Sequence, residues 1–179
     1  PLHLDAILVS CTGSSYLLGK AGDAKISAEL AALTGVPTIT SSYAIQEALA
    51  ALHVRRITLM SPYPSWLTQQ SADYWAGSDL QLDEVIQLGD GSTNAAYELD
   101  DDYVEEQLLK LPPRAPGSAV LMSGTGMPTL DAIRRVGDKL GVPVLSSNLC
   151  GIWWLLKATG LKSGSDHFNA AARPLLPLL

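Results

Sequence analysis

The chain has 179 residues, 47% of them hydrophobic, and a formal net charge of −6. That size suits one domain or two small α/β lobes, with apolar content enough for a core. The negative charge argues against nucleic acid or an anionic membrane as partner, and no apolar run reaches the length of a bilayer span.

In chain order, Ile7-Leu8-Val9 is a short apolar run of the kind found in a sheet covered on both faces. It leads into Ser10-Cys11-Thr12-Gly13-Ser14-Ser15, a small-residue loop offering a thiol, hydroxyls and closely spaced backbone N–H groups. The carboxyl end of a strand is where open α/β sheets bind ligands. Gly22 or Asp23 is the expected cap of a helix carrying Ile26, Leu30 and Leu33 on one face, and Gly35 ends it. A strand over residues 36–40 follows. Ser41 or Ser42 is expected to cap a second helix, with Ile45, Leu49 and Leu52 sharing a face and Glu47 in its first turn. His53, after that helix, reads as a surface residue. Residues 57–60 form a strand ending in Ser61-Pro62-Tyr63-Pro64, and a helix with Trp66, Leu67, Tyr74 and Trp75 runs to a break at Gly77-Ser78.

A strand over residues 82–88 then opens into a polar loop, residues 89–99. Asp100-Asp101-Asp102 reads as a helix start, where acids oppose the dipole. As metal ligands these carboxylates would diverge around the helix, and no histidine lies nearby in sequence. After a Pro-rich linker at residues 112–117, a strand leads into Ser123-Gly124-Thr125-Gly126. Pro128 opens a helix with Leu130, Ile133 and Val136 inward and Arg134, Arg135 and Lys139 outward. Ser147 or Asn148 is expected to cap the last clear helix, which holds Ile152, Trp153, Leu155 and Leu156. Beyond Lys162 the tail, rich in Gly, Pro and Leu, shows no clear element. Strands alternating with helices imply a mainly parallel sheet in each half.

The two loops echo one another. Ser10-Cys11-Thr12-Gly13 and Ser123-Gly124-Thr125-Gly126 match at three of four positions, and each is followed by a helical stretch and then by Gly-Val-Pro, a strand and Ser-Ser, from Gly35 and from Gly141. Two matches in the same order point to an internal repeat. The expected architecture is α/β with two pseudosymmetric lobes, residues 1–54 and 55–160, followed by a tail over 161–179. The two loops then face each other across a cleft. By the repeat's own logic a strand-helix unit is missing upstream of Pro1, so the first lobe reads as N-terminally shortened.

Cys11, beside a helix start at a strand's end, is the candidate reactive thiol, since such positions favour the thiolate. Thr12, Gly13, Thr125 and Gly126 offer N–H groups to a carboxylate or enediolate, and Tyr63 offers a hydroxyl. Cys150, in an apolar helix beside Trp153, reads as packing. The three histidines have no paired spacing, which speaks against zinc, and neither a dinucleotide fingerprint nor a phosphate loop is present. Two cysteines make no disulfide framework, and the start has neither the basic nor the apolar part of a secretory leader. Reduced thiols in the cytoplasm are therefore expected.

These residues carry a resemblance. Ser10-Cys11-Thr12-Gly13, Thr40-Ser41-Ser42-Tyr43-Ala44-Ile45, Arg55-Arg56-Ile57, Pro62-Tyr63, Leu121-Met122-Ser123-Gly124, Thr129-Leu130-Asp131-Ala132-Ile133 and Gly141-Val142-Pro143-Val144, in that order, resemble the aspartate/glutamate racemase superfamily. The resemblance lies in the branch of maleate isomerase and arylmalonate decarboxylase. It covers nearly the whole chain and begins about a third of the way into that family's usual length, in keeping with the missing unit. It implies a cofactor-free, metal-free site between two lobes, with one cysteine from each lobe facing a small carboxylate. Cys11 matches the first-lobe cysteine, the nucleophile of maleate isomerase, and Thr12 and Tyr63 match carboxylate-holding positions. Gly124 departs from the pattern, standing where the second-lobe cysteine is expected. The decarboxylase has the opposite arrangement. A two-base racemase needs an acid-base group on both faces of the carbon, and Ser123 and Thr125 beside the gap are unactivated hydroxyls. The expectation is a cofactor-independent isomerase or racemase-like enzyme, with a decarboxylase-like lyase or a non-catalytic carboxylate-binding paralogue as rivals. The oligomeric state, a homo-oligomer included, stays open.

Overall fold

The computed structural model describes residues 3–77 and 80–179. β1 (Ile7–Val9) and β2 (Thr38–Thr40) pair in parallel as a two-stranded sheet. A second, four-stranded parallel sheet runs in the order β4 (Gln81–Gln87), β3 (Arg56–Ser61), β5 (Ser118–Met122) and β6 (Val144–Ser146). Helices flank both sheets, so the α/β class with parallel strands is as expected. Among the described residues no helix is long and apolar enough to cross a membrane.

The internal repeat is in register. Val9 stands opposite Thr40 in one sheet and Met122 opposite Ser146 in the other. Each second strand ends in a hydroxyl that caps the next helix: Thr40 Oγ1 accepts from the Tyr43 N–H and Ser146 Oγ from the Leu149 N–H, both at 3.3 Å. The caps of α2 (Ser41–Ala51) and α7 (Ser147–Thr159) are therefore Thr40 and Ser146, not Ser41 or Ser42 and not Ser147 or Asn148. The last strand residue does the capping because its extended backbone already has the geometry that position requires. Glu47 consequently lies beyond the first turn of α2 and pairs with Lys157 of α7 at 3.3 Å.

The packing of α2 on α7 joins the two halves through a shared core that includes Ile45, Leu49, Leu149, Cys150 and Trp153. Gly151 lets α7 lie close on β1: a Cβ there would lie 2.5 Å from Leu8 Cδ2. All five residues of β5 are buried, whereas Ile7, Leu8 and Val9 are only half-buried. The expected cover on both faces of β1 is thus not met. β5 lies between β3 and β6, but β1 has β2 as its only described strand neighbour.

The largest departure is α1 (Thr12–Thr34), which starts immediately after Cys11 rather than at Gly22 or Asp23 and is interrupted at Gly19 (φ +67°). Leu33, expected inward, is 82% exposed, while Asp23 is fully buried. α3 (Ser65–Ala76) follows Pro64, with Gly77 as its C-cap; Ser78 lies outside the described residues. The polar loop after β4 contains a short helix, α4 (Ala95–Glu98). Asp100 caps α5 (Asp101–Leu109) through its carboxylate, as the acidic run implied. α6 (Leu130–Val136) begins after Thr129, two residues later than Pro128, and Ile133 and Val136 are buried while Leu130 is exposed. The C-terminal stretch folds onto α6 as α8 (Asp166–Ala171), with Phe168 and Leu175 in the core and the Trp153 indole N–H donating to the Leu175 carbonyl at 3.1 Å. His53 is exposed, as expected, at the end of α2.

Candidate active site

The chain turns out of β1 at Ser10 and places Cys11 as the N-cap residue of α1, in extended conformation and with no side-chain cap bond of its own. The thiol is exposed. The next residue, Thr12, is fully buried, and its Oγ1 lies 2.5 Å from the Tyr63 hydroxyl. Tyr63 arrives from the other sheet, two residues past β3, where Pro62 and Pro64 restrict the backbone on either side. The two echoing loops meet directly. Thr125 Oγ1 donates to the Ser10 carbonyl at 3.2 Å, and Asn148 Nδ2 at the start of α7 donates to the Thr125 carbonyl at 3.1 Å.

Beneath this contact lies a second link. The Tyr16 hydroxyl, on the same face of α1 one turn beyond Thr12, lies 2.6 Å from Ser123 Oγ, and the Trp75 indole N–H donates to it at 3.2 Å. Deeper still, the buried Asp23 carboxylate accepts from Ser15 Oγ at 2.8 Å and from the Tyr74 hydroxyl at 2.6 Å. The rings of Tyr16, Tyr63, Tyr74 and Trp75 pack edge to face around these groups.

The structure therefore gathers Cys11, Thr12, Tyr63, Ser123, Gly124 and Thr125. Gly124 has φ +99°, and a Cβ there would sit 2.7 Å from Pro62 Cγ and 3.7 Å from the Tyr63 hydroxyl. Gly13 sits in the first turn of α1 against Leu67, with room for a side chain. Tyr97, which the sequence reading did not single out, lays its ring over Gly126 and stays 76% exposed. Tyr16 was also missed, and Asp23, expected as a helix cap, is instead buried within α1. Had the helix been started at Thr12, the spacing of Thr12 and Tyr16 would have put them on one face.

Burial holds the Tyr63 hydroxyl above the usual phenol range, opposed by the Thr12 hydrogen bond and reinforced by nearby Cys11. It thus stays protonated and neutral at physiological pH. Burial also pushes up Tyr16, Tyr74 and Cys150. For these three the unfolded chain loses protons in the ordinary range, while the native state keeps them. Their stabilising contribution is therefore intact below about pH 8 for Cys150 and about pH 9 for the two tyrosines, and it falls as pH rises further, at up to about 1.4 kcal/mol per group per pH unit. The urea midpoint, followed by tryptophan fluorescence, should be lower at about pH 10.5 than at about pH 7.5.

Comparison with known proteins follows the same lines. A model of the arylmalonate decarboxylase family matches residues 3–170. Arylmalonate decarboxylase of Bordetella bronchiseptica is 32% identical over 158 residues, covering 87% of this chain and 66% of that protein. Maleate isomerase of Geobacillus stearothermophilus is 29% identical over 164 residues, covering 89% of this chain and 65% of that one. A crystal structure of arylmalonate decarboxylase matches with a TM-score of 0.80 at 30% identity, over 92% of this chain and 73% of that one. The chain spans just under two thirds of the length of these two curated relatives.

Proposed function

The chain belongs to the arylmalonate decarboxylase family, within the aspartate/glutamate racemase superfamily, and from that premise we propose that it is a cofactor-independent isomerase of a small dicarboxylate, with Cys11 as nucleophile. The observation that carries this reading is an exposed thiol beside the Thr12–Tyr63 hydroxyl pair, with Gly124 in the facing loop. One thiol is enough for cis–trans isomerisation. The thiolate adds to one carbon of the double bond, and the electron pair moves onto the neighbouring carboxylate as an enediolate. The central bond rotates, and expulsion of the thiolate restores the double bond, so that no proton need be delivered from the second loop. Thr12 and Tyr63 hold the carboxylate that takes the charge, with Tyr63 kept protonated by burial. Racemisation, by contrast, asks for a second acid-base group where Gly124 stands.

The 32% identity to an arylmalonate decarboxylase supports a second reading, in which the same thiol protonates an enediolate after loss of carbon dioxide. Incubation in deuterated buffer with maleate and, separately, with an arylmalonate separates the two. Fumarate without carbon-bound deuterium supports the isomerase, and an arylacetate carrying one deuterium supports the lyase. Binding of both compounds without turnover of either would leave a carboxylate-binding protein and reject both enzymatic readings.

A further inference from the structure

Four hydroxyls lie together under the junction of the two loops. Thr12 and Tyr63 form one close pair and Tyr16 and Ser123 the other. The pairs are neighbours: Tyr16 lies one helical turn beyond Thr12 on α1, and its ring packs edge to face on that of Tyr63, with centroids 6.1 Å apart. Two of the four belong to α1, one to the loop after β3 and one to the loop after β5, so the cluster ties both halves together at the level of Cys11. Tyr16 and Ser123 are buried, at 2% and 0% exposure, and neither faces solvent.

An indole N–H only donates, and Trp75, fully buried, donates to the Tyr16 oxygen at 3.2 Å. That leaves the Tyr16 hydroxyl one proton and one lone pair for Ser123, its close partner at 2.6 Å. Tyr16 is therefore held from two sides, by Trp75 of α3 and by Ser123 of the second loop, directly under the Thr12–Tyr63 pair. A buried network of this kind polarises along its length.

We infer that Tyr16 is a positioning residue: through Ser123 it fixes the second loop and orients the Thr12 and Tyr63 hydroxyls as donors to a carboxylate bound at Cys11. The inference rests on the reading of this site as a carboxylate site, and the test separates the two. The probes are iodoacetate and iodoacetamide, which alkylate a thiol by the same displacement of iodide and differ in carrying a carboxylate or a neutral amide. Rates are measured at Cys11 by peptide mass spectrometry, Cys150 being buried. In the native protein the iodoacetate-to-iodoacetamide ratio should exceed that of a free cysteine peptide by about tenfold, roughly one hydrogen bond to a charged group. Tyr16→Phe keeps the ring packing and removes only the hydroxyl. It should bring the ratio down toward the peptide's value while the iodoacetamide rate changes by less than about twofold. A purely structural role would move both rates together.

Ser123→Ala cuts the same link from the other side and should give the same ratio, with the double variant no lower than either single one. It also carries the test if Tyr16→Phe does not fold. A native ratio no higher than the peptide's rejects the carboxylate site and the inference with it. A selective native protein whose ratio survives both substitutions rejects the inference alone. Equal loss of both rates assigns Tyr16 to the general fold and likewise overturns it.

Discussion

Replacing Cys11 with alanine is expected to lower kcat for the productive dicarboxylate at least about a thousandfold, the scale on which a covalent nucleophile is missed. The fold should hardly register the change. Cys11 is exposed, makes no side-chain cap bond and lies outside the core, so stability should stay within about 0.5 kcal/mol, as for surface positions generally. This separation makes the result easy to interpret. A large loss of turnover at unchanged urea midpoint assigns the chemistry to the thiol. Turnover kept above about a tenth of the parental value would remove Cys11 from the mechanism, because no group in the facing loop is placed to replace it.

A second large effect is expected at Gly124, where cysteine would nominally complete a two-thiol site. The backbone there has φ +99°, a conformation that costs a side chain about 1–2 kcal/mol. The new Cβ would also press on Pro62 Cγ at 2.7 Å, and a proline ring between two fixed residues yields little. Overpacking of this sort adds about 1–3 kcal/mol. Gly124→Cys should therefore lose about 3 kcal/mol of stability in urea denaturation. Gly124→Ala should lose a similar amount, since the cost lies in the Cβ and not in the sulfur. The Tyr63 hydroxyl, 3.7 Å from the same point, is at ordinary contact distance and should keep its place. Parental stability in both variants would show that the loop relaxes freely and that the absent second thiol is not enforced by the backbone.

What was legible in the sequence was the part governed by short-range pattern. Ile7-Leu8-Val9 and the run from Ser118 read as strands because each is short, apolar and followed by small residues, and the Gly-Val-Pro echo located their partners. The meeting of the loops followed from the repeat and is seen in the Thr125–Ser10 hydrogen bond. The start of α1 was not legible. Ser14 and Ser15 look like loop, and the apolar residues in that segment, Leu17 and Leu18, are exposed at 64% and 53%, so apolar periodicity pointed away from the true helix face. The face that is buried there is polar: Thr12, Ser15, Tyr16, Asp23 and Ser27. Nothing local announces it, because the partners lie far along the chain, Ser123 for Tyr16 and Tyr74 for Asp23. The caps at Thr40 and Ser146 were missed by one or two residues for a simpler reason: each is the last residue of its strand as well as the first contact of its helix.

The charge on one border of the larger sheet bears on how the protein behaves in concentrated solution. β4, at the end of the strand order, is mostly exposed, yet it carries Asp83 and Glu84, which hold Arg56 and Arg114 in ion pairs. Charge of that kind repels an approaching chain. Crowded molecules that meet along this rim must first strip water from paired ions, so the rim sheds its neighbours instead of adhering to them.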